Sequence, residues 1–183
     1  MDLTREILSD IKIEKDFLSF FSCDFLVSFA EDNPDIFKSR KTFFPNYGLK
    51  KDLGEYFSCQ FSRDCFSDIF KEHLDITFNG LPVKEIQLNR YEAGDFIPPH
   101  KDMQRSIHTI IVPLQDDCEN KLVIGDPECY YNGTSVEESD KEGKTKSFPD
   151  IKGNGYRFDG VHLVHWVPPV KSKRYSATFL YAI

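Results

Sequence analysis

The chain has 183 residues, of which 40% are hydrophobic and 29% charged, with a formal net charge of −7. That length suits one domain able to fold without a metal or disulfide staple, and the acidic balance argues against a surface that tracks a phosphate backbone. No run approaches the ~20 apolar residues of a membrane span, so no membrane association is expected.

Residues 1 to about 80 read as mainly helical. From Asp16 to Ala30, Phe17, Phe21, Phe25 and Phe29 recur at every fourth position, and Leu18 and Phe20 widen the stripe. From Ser62 to Leu74, Phe66, Ile69, Phe70 and Leu74 recur at steps of three and four. Both patterns predict amphipathic helices whose apolar stripe is buried. Asn33-Pro34 and Pro45-Asn46-Tyr47-Gly48 mark turns between them.

At Asn79-Gly80-Leu81-Pro82 the helical period stops and a period of two begins. In Val83–Tyr91, Ile86 and Leu88 share one face, while Glu85, Gln87, Asn89 and Tyr91 share the other. Such a strand fits a barrel wall with helices on its apolar side and a polar site on its other side. Ile107–Leu114, Lys121–Ile124, Gly155–Phe158, Val161–Val167 and Arg174–Tyr181 are further strand candidates. Short strands at close spacing with Gly and Pro between them predict a sandwich or jelly roll. Asp126–Gly153 is polar and lacks apolar period, so it is expected to be a long loop, either a lid or a solvated insertion.

The five cysteines, Cys23, Cys59, Cys65, Cys118 and Cys129, are odd in number and form no Cys-x-x-Cys pair. Reduced thiols and a cytoplasmic location are expected, with no disulfide framework and no cysteine zinc site. Met1–Glu6 has no basic stretch ahead of an apolar run, so no secretory leader is expected.

The segment Asn89–Asp102 carries the chemistry. In an extended chain His100 and Asp102 point the same way, so an imidazole and a carboxylate can grip one cation. A second histidine from a neighbouring strand would complete a two-histidine, one-carboxylate face, which leaves open positions on one side of the metal and suits non-haem Fe(II). Two histidines compete for that place, His162 and His165. Three residues apart on a strand, they face opposite sides, so only one can enter. Further on, Arg174 and Ser176 share a face. An arginine facing such a site is costly unless it meets an anion, and its fork matches a carboxylate in two hydrogen bonds. These residues read as an Fe(II) site with a dicarboxylate clamped at its far end.

On these residues the sequence resembles the Fe(II)/2-oxoglutarate-dependent dioxygenases, in particular their prolyl-hydroxylase-like branch. Tyr91-Glu92-x-Gly94 with His100 and Asp102 is similar to that branch's first metal motif, and His165-x-Val167-x-Pro169 with Arg174 nine residues on is similar to its second. The likeness spans about residues 83–183. It implies an α+β fold: a double-stranded β-helix (jelly roll, cupin-like) with an N-terminal helical layer packed on the major sheet. One domain would cover 1–183, with helical support over 1–80 and the jelly-roll core over 81–183. The resemblance selects His165 over His162, giving the metal ligands His100, Asp102 and His165. It implies Arg174, Ser176, Tyr91 and Asn89 as co-substrate contacts, and no catalytic residue beyond the metal ligands. Fe(II), 2-oxoglutarate and O2 are the implied cofactors and co-substrates, with ascorbate as a supporting reductant.

The implied reaction hydroxylates an aliphatic C–H bond of a peptide or protein side chain or of a free amino acid, releasing succinate and CO2. Collagen-type prolyl hydroxylases usually carry Lys where this chain has Arg174. Asn89-x-Tyr91 also resembles the entry motif of AlkB-type demethylases, whose further arginine is missing, since no Arg follows Arg174. Oxidative demethylation of a nucleic-acid base is therefore an alternative that the charge disfavours, and a non-catalytic jelly-roll binding module is another. Lys101, Arg105, Lys171 and Lys173 are candidates for the mouth of the site, with plain surface lysines as the default. His108 is expected to be structural, and Trp166 to pack on the helical layer.

Overall fold

The computed structural model describes residues 8, 10–42, 54–62, 77–78, 80–102, 108–125 and 143–181. After a short strand, β1 (Lys12–Glu14), the chain turns through Asp16, whose φ of 52° is left-handed, into helix α1 (Phe20–Asp32). The helix begins where Ser19 accepts a hydrogen bond from the Ser22 N–H, an N-cap that satisfies one of the free donors of the first turn. It stops at Asn33, whose backbone N–H and side-chain amide both donate to the Phe29 carbonyl, and Pro34 follows.

The buried face of α1 is Ser22, Cys23, Leu26 and Ala30, not the phenylalanine stripe. Phe20 and Phe21 are 59% and 68% exposed, and Phe17, Phe25 and Phe29 pack at the margin of the core. The helical period was read correctly but its inward direction was not. The side chains of Cys23, Leu26 and Ala30 join the core cluster, and Phe17, Phe25 and Phe29 pack against its margin. Cys23 is fully buried there, and burial pushes its thiol up to about 11.

A single 3-10 turn (Pro34–Ile36) follows, and the remaining described elements are strands: β2 (Lys38–Thr42), β3 (Gly54–Ser62), β4 (Thr77–Phe78), β5 (Leu81–Tyr91), β6 (Ile97–His100), β7 (His108–Pro113), β8 (Asp117–Gly125), β9 (Thr145–Asp150), β10 (Gly155–Phe158), β11 (Val164–Val167) and β12 (Arg174–Tyr181). Among the described residues they form two sheets. The major one runs β1-β10-β7-β12-β5-β3-β2, with β4 also on β5; the minor one runs β6-β11-β8-β9. Two facing antiparallel sheets make the expected jelly roll.

The N-terminal region departs from expectation. Among the described residues α1 is its one α-helix, and β1 to β4 extend the major sheet instead of covering it. In β3, Phe57 and Cys59 alternate with the buried Ser58, so a period of two operates where helix was expected. The helix expected over Ser62–Leu74 lies outside the described residues except for Ser62, which ends β3. The expected loop over 126–153 also contains structure. Residues 145–150 form β9, with Phe148 and Asp150 buried two apart. Residues 126–142 lie outside the description.

The alternation in β5 and β12 sets the layers. Leu88 pairs with Ala177 and Ile86 with Phe179, and these residues meet Cys23, Leu26 and Ala30 of α1 in one apolar cluster. On the other face Arg174 pairs with Tyr91, Ser176 with Asn89 and Thr178 with Gln87. A second apolar cluster lies between the sheets, where Tyr91, Ile111 and Phe158 of the major sheet meet Leu122, Ile124 and Val167 of the minor one. Val123, Val164 and Trp166 form a third cluster, so Trp166 packs on the minor sheet and not on a helical layer. No helix among the described residues is long and apolar enough to cross a membrane.

Candidate metal centre and its neighbouring cavity

Strands β6 and β11 pair antiparallel, with His165 directly opposite His100. Their ring centroids stand 4.2 Å apart. Asp102 lies two residues beyond the end of β6, where its N–H donates to the Gly160 carbonyl at 2.8 Å. The Thr109 hydroxyl of β7 donates to Asp102 Oδ2 at 2.5 Å. His165 Nε2 stands 3.6 Å from Asp102 Oδ1. One ligand atom from each of His100, Asp102 and His165 lies within 4.8 Å of the other two. Among the described residues no other such group of His, Cys, Asp or Glu is found.

His165 is buried, with Phe158 edge-on to its ring at 4.7 Å and its Nδ1 3.4 Å from the Leu163 carbonyl. A proton on Nδ1 can donate to that carbonyl, which leaves the Nε2 lone pair directed at the centre. Burial alone would raise the Asp102 carboxyl. The charges of His165 and His100, with hydrogen bonds from His165 and Thr109, outweigh it and hold the group well below the usual carboxylate range. Gly160 completes the cradle: a β-carbon there would meet Asp102 Oδ2 at 2.1 Å. Two imidazoles and one ionised carboxylate on one side of a cavity are the donor set that suits Fe(II) with open positions.

His162 lies outside the triad and is 76% exposed, not packed into a strand wall. It sits in a turn, not on a strand. Asp159 Oδ1 accepts from the Val161 and His162 N–H groups, and Asp159 Oδ2 contacts His162 Nδ1 at 2.7 Å. Strand β11 starts only at Val164, so strand parity does not apply to His162. His108 begins β7, half-buried and outside the triad. Lys173 donates to Glu31 of α1 at 2.8 Å, which ties it to the helix. Lys171 is exposed, and Arg105 lies outside the described residues.

The cavity beside the triad is lined by Asn89, Tyr91, Arg174, Ser176, Thr178 and Leu122, among others. The four expected co-substrate contacts therefore share one cavity with the metal triad. Asn89 donates its Nδ2 to Thr178 Oγ1 at 3.1 Å, while its Oδ1 is buried without a partner. It offers an acceptor, which repels a carboxylate. Tyr91 lies under the Arg174 guanidinium, 5.0 Å from ring centroid to Cζ, and helps to hold the arginine charged.

Arg174 does meet an anion, but the chain supplies it. Its Nε donates to Asp150 Oδ2 at 2.6 Å and its Nη2 to Asp150 Oδ1 at 2.9 Å, with both side chains 2% exposed. Its Nη1 is 3.4 Å from Ser176 Oγ. Burial alone would lower the arginine's proton affinity; the Asp150 charge and hydrogen bonds, then Tyr91, raise it. The nearby Tyr156 phenol is pushed up to about 12, first by burial and then by the Asp150 charge. Sequence reasoning missed Asp150 because it fell in the expected loop. The available signal was Arg174 itself, since a buried guanidinium demands a counter-charge.

No protein-family model matches the sequence, and no curated protein matches it. Solved structures do share its fold. A Pseudomonas putida prolyl-4-hydroxylase is 14% identical, with a TM-score of 0.62 over 98% of each chain. A Trichoplax adhaerens prolyl hydroxylase, solved with a hypoxia inducible factor oxygen degradation domain peptide fragment, is 13% identical, with a TM-score of 0.63 over 98% of this chain and 89% of that one. SnoN, a non-haem alpha-ketoglutarate-dependent epimerase from nogalamycin biosynthesis, is 12% identical, with a TM-score of 0.64 over 98% of this chain and 80% of that one. The fold is thus the jelly roll of the 2-oxoglutarate-Fe(II) oxygenases.

Proposed function

We propose that this chain is an Fe(II)- and 2-oxoglutarate-dependent dioxygenase that hydroxylates an aliphatic C–H bond in a peptide or protein side chain or a free amino acid. The observation that carries the reading is the convergence of His100, Asp102 and His165 beside a cavity that contains Arg174, Ser176 and Tyr91. Bound Fe(II), with 2-oxoglutarate and O2, supplies the oxidation of the C–H bond, releasing succinate and CO2. Ascorbate is the supporting reductant.

In this reading His100 and His165 bind as neutral imidazoles and Asp102 as a carboxylate, so metal uptake releases protons at low pH. Thr109 holds the Asp102 carboxylate in place through Oδ2. Arg174 Nη1, with Ser176 and Tyr91 beside it, receives the far carboxylate of the co-substrate. Asn89 acts on that carboxylate only through Thr178 and Ser176, its neighbours on β12. Leu122, Ile111 and Val167 dry the space between the sheets, which strengthens these contacts.

One domain over 1–183 and a cytoplasmic location belong to the same proposal. A peptide or protein as prime substrate draws support from the Trichoplax prolyl hydroxylase, which was solved with a peptide fragment. Protein supplied with Fe(II), ascorbate and 2-oxoglutarate is expected to release succinate slowly without prime substrate, and Asp102→Ala to abolish this. Peptide and amino-acid panels screened for a mass gain of one oxygen then identify the substrate. Wild-type succinate release no greater than that of Asp102→Ala sinks the reading.

A further inference from the structure

The Asp150–Arg174 pair is unusual for a residue cast as an anion clamp, because two of its five donors already hold an internal carboxylate. Asp150 takes the Arg174 Nε–H and one Nη2–H, and both side chains are 2% exposed. The Nη1 group, which contacts Ser176 Oγ at 3.4 Å, and the second Nη2–H are left for a ligand in the cavity that Arg174, Ser176 and Tyr91 line. Asp150 is not among the residues lining this cavity, but its charge offsets that of Arg174, so an arriving carboxylate meets a nearly neutral pair and has Asp150 as a like-charged neighbour on the same guanidinium. Like charges sharing one site oppose each other strongly when dry.

Resting on the oxygenase reading above, we propose that Asp150 is a specificity-determining residue that acts as an internal competitor for Arg174. It sets a low affinity for dicarboxylate 2-oxo acids and narrows the preference for a charged over a neutral far end. Asp150 acts through Arg174 and touches no reacting atom. Removing Asp150 alone also destabilises the folded chain, since it leaves the Arg174 charge buried and uncompensated. The co-substrate carboxylate supplies that missing charge once Asp150 is neutralised.

The test uses full-length protein loaded with Zn(II), which blocks turnover, and titrates 2-oxoglutarate by calorimetry. Asp150→Asn is expected to bind 2-oxoglutarate more tightly by about tenfold or more, the equivalent of one modest charge interaction, with Zn(II) affinity changed by less than about twofold. Its thermal midpoint is expected to fall without ligand and to rise further on adding 2-oxoglutarate than that of the wild type. Asp150→Glu, which keeps the charge, is expected to bind at least as weakly as the wild type. A merely structural role predicts weaker binding of both metal and 2-oxoglutarate in Asp150→Asn, and that result overturns the proposal, as does unchanged 2-oxoglutarate affinity.

If Asp150→Asn does not fold, wild-type protein decides alone. It is expected to prefer 2-oxoglutarate over its 5-amide, whose far end is neutral, by less than about tenfold, and a preference above about a hundredfold overturns the proposal. Zn(II)-loaded wild type that binds neither compound refutes the oxygenase reading and the proposal with it. Binding without the expected pattern refutes the proposal alone.

Discussion

Gly160 stands so close to Asp102 that a β-carbon on it would lie 2.1 Å from the carboxylate Oδ2 and 2.4 Å from Thr109 Oγ1. Both atoms are ends of side chains, so the clash is relieved by moving them instead of the backbone. Gly160→Ala is therefore expected to fold with little loss of stability but to bind metal about 10–100-fold more weakly, the range for disturbed outer contacts of a ligand. Metal titration alongside a melting curve checks this. Wild-type metal affinity in the variant contradicts it.

Thr109 makes the complementary prediction. Thr109→Val keeps the shape of the side chain and removes the hydrogen bond to Asp102 Oδ2. Metal affinity is expected to drop by about tenfold or more, while Thr109→Ser restores most of it. Rescue by Ser separates the hydrogen bond from packing, because Ser lacks the methyl group.

The metal-free protein has its own pH signature. The Asp102 carboxyl is held below its unfolded value of about 3.9. Its contribution to stability is therefore fully present above that value and is lost as pH falls through the folded value. Denaturant titrations of metal-free wild type and Asp102→Asn are expected to differ most near pH 5 and to converge toward pH 2. A difference that grows with acid contradicts the assignment.

Much of the candidate site was legible because it rests on short-range spacing. His100, Asp102, Arg174 and Ser176 lie on or next to strands whose two-residue period is visible in the sequence, and the structure brings them to one cavity. The polar and apolar faces of Val83–Tyr91 were legible for the same reason. What failed depends on what packs against what. The α1 stripe has a clear period, but Cys23, Leu26 and Ala30 form the inward face, and which face turns inward is set by the sheet residues it packs on, such as Leu88 and Ala177. The role of β9 was hidden because Asp150 looks like a loop residue until Arg174 is seen beside it. The structure places His165 beside His100 and Asp102, but strand parity does not separate it from His162, which sits in a turn capped by Asp159.

The helix reading can be tested directly. Leu26→Ala is expected to destabilise the fold by about 2–5 kcal/mol, since the side chain is 2% exposed within the core. Phe21→Ala, at a position 68% exposed, is expected to change stability by no more than about 0.5 kcal/mol. Urea denaturation of the pair reverses the order that the phenylalanine stripe would predict.

Two glycines with left-handed backbone separate strain from collision. Gly153 has φ of 81°, and a β-carbon there would meet the Leu18 carbonyl oxygen at 2.5 Å. Its own carbonyl accepts from the Leu18 N–H at 3.0 Å, joining the turn before α1 to the turn after β9. Gly143 has φ of 68° with nothing within 4 Å. Gly143→Ala is expected to cost about 1 kcal/mol from backbone strain alone, and Gly153→Ala about 3 kcal/mol or more. Equal losses in denaturant titrations contradict the difference in packing.

The most direct measurement is anomalous diffraction from crystals grown with Mn(II). One peak within bonding distance of His100 Nε2 or Nδ1, an Asp102 carboxylate oxygen and His165 Nε2 is the expected result. A protein that binds no ion there, or holds it at other side chains, contradicts the account.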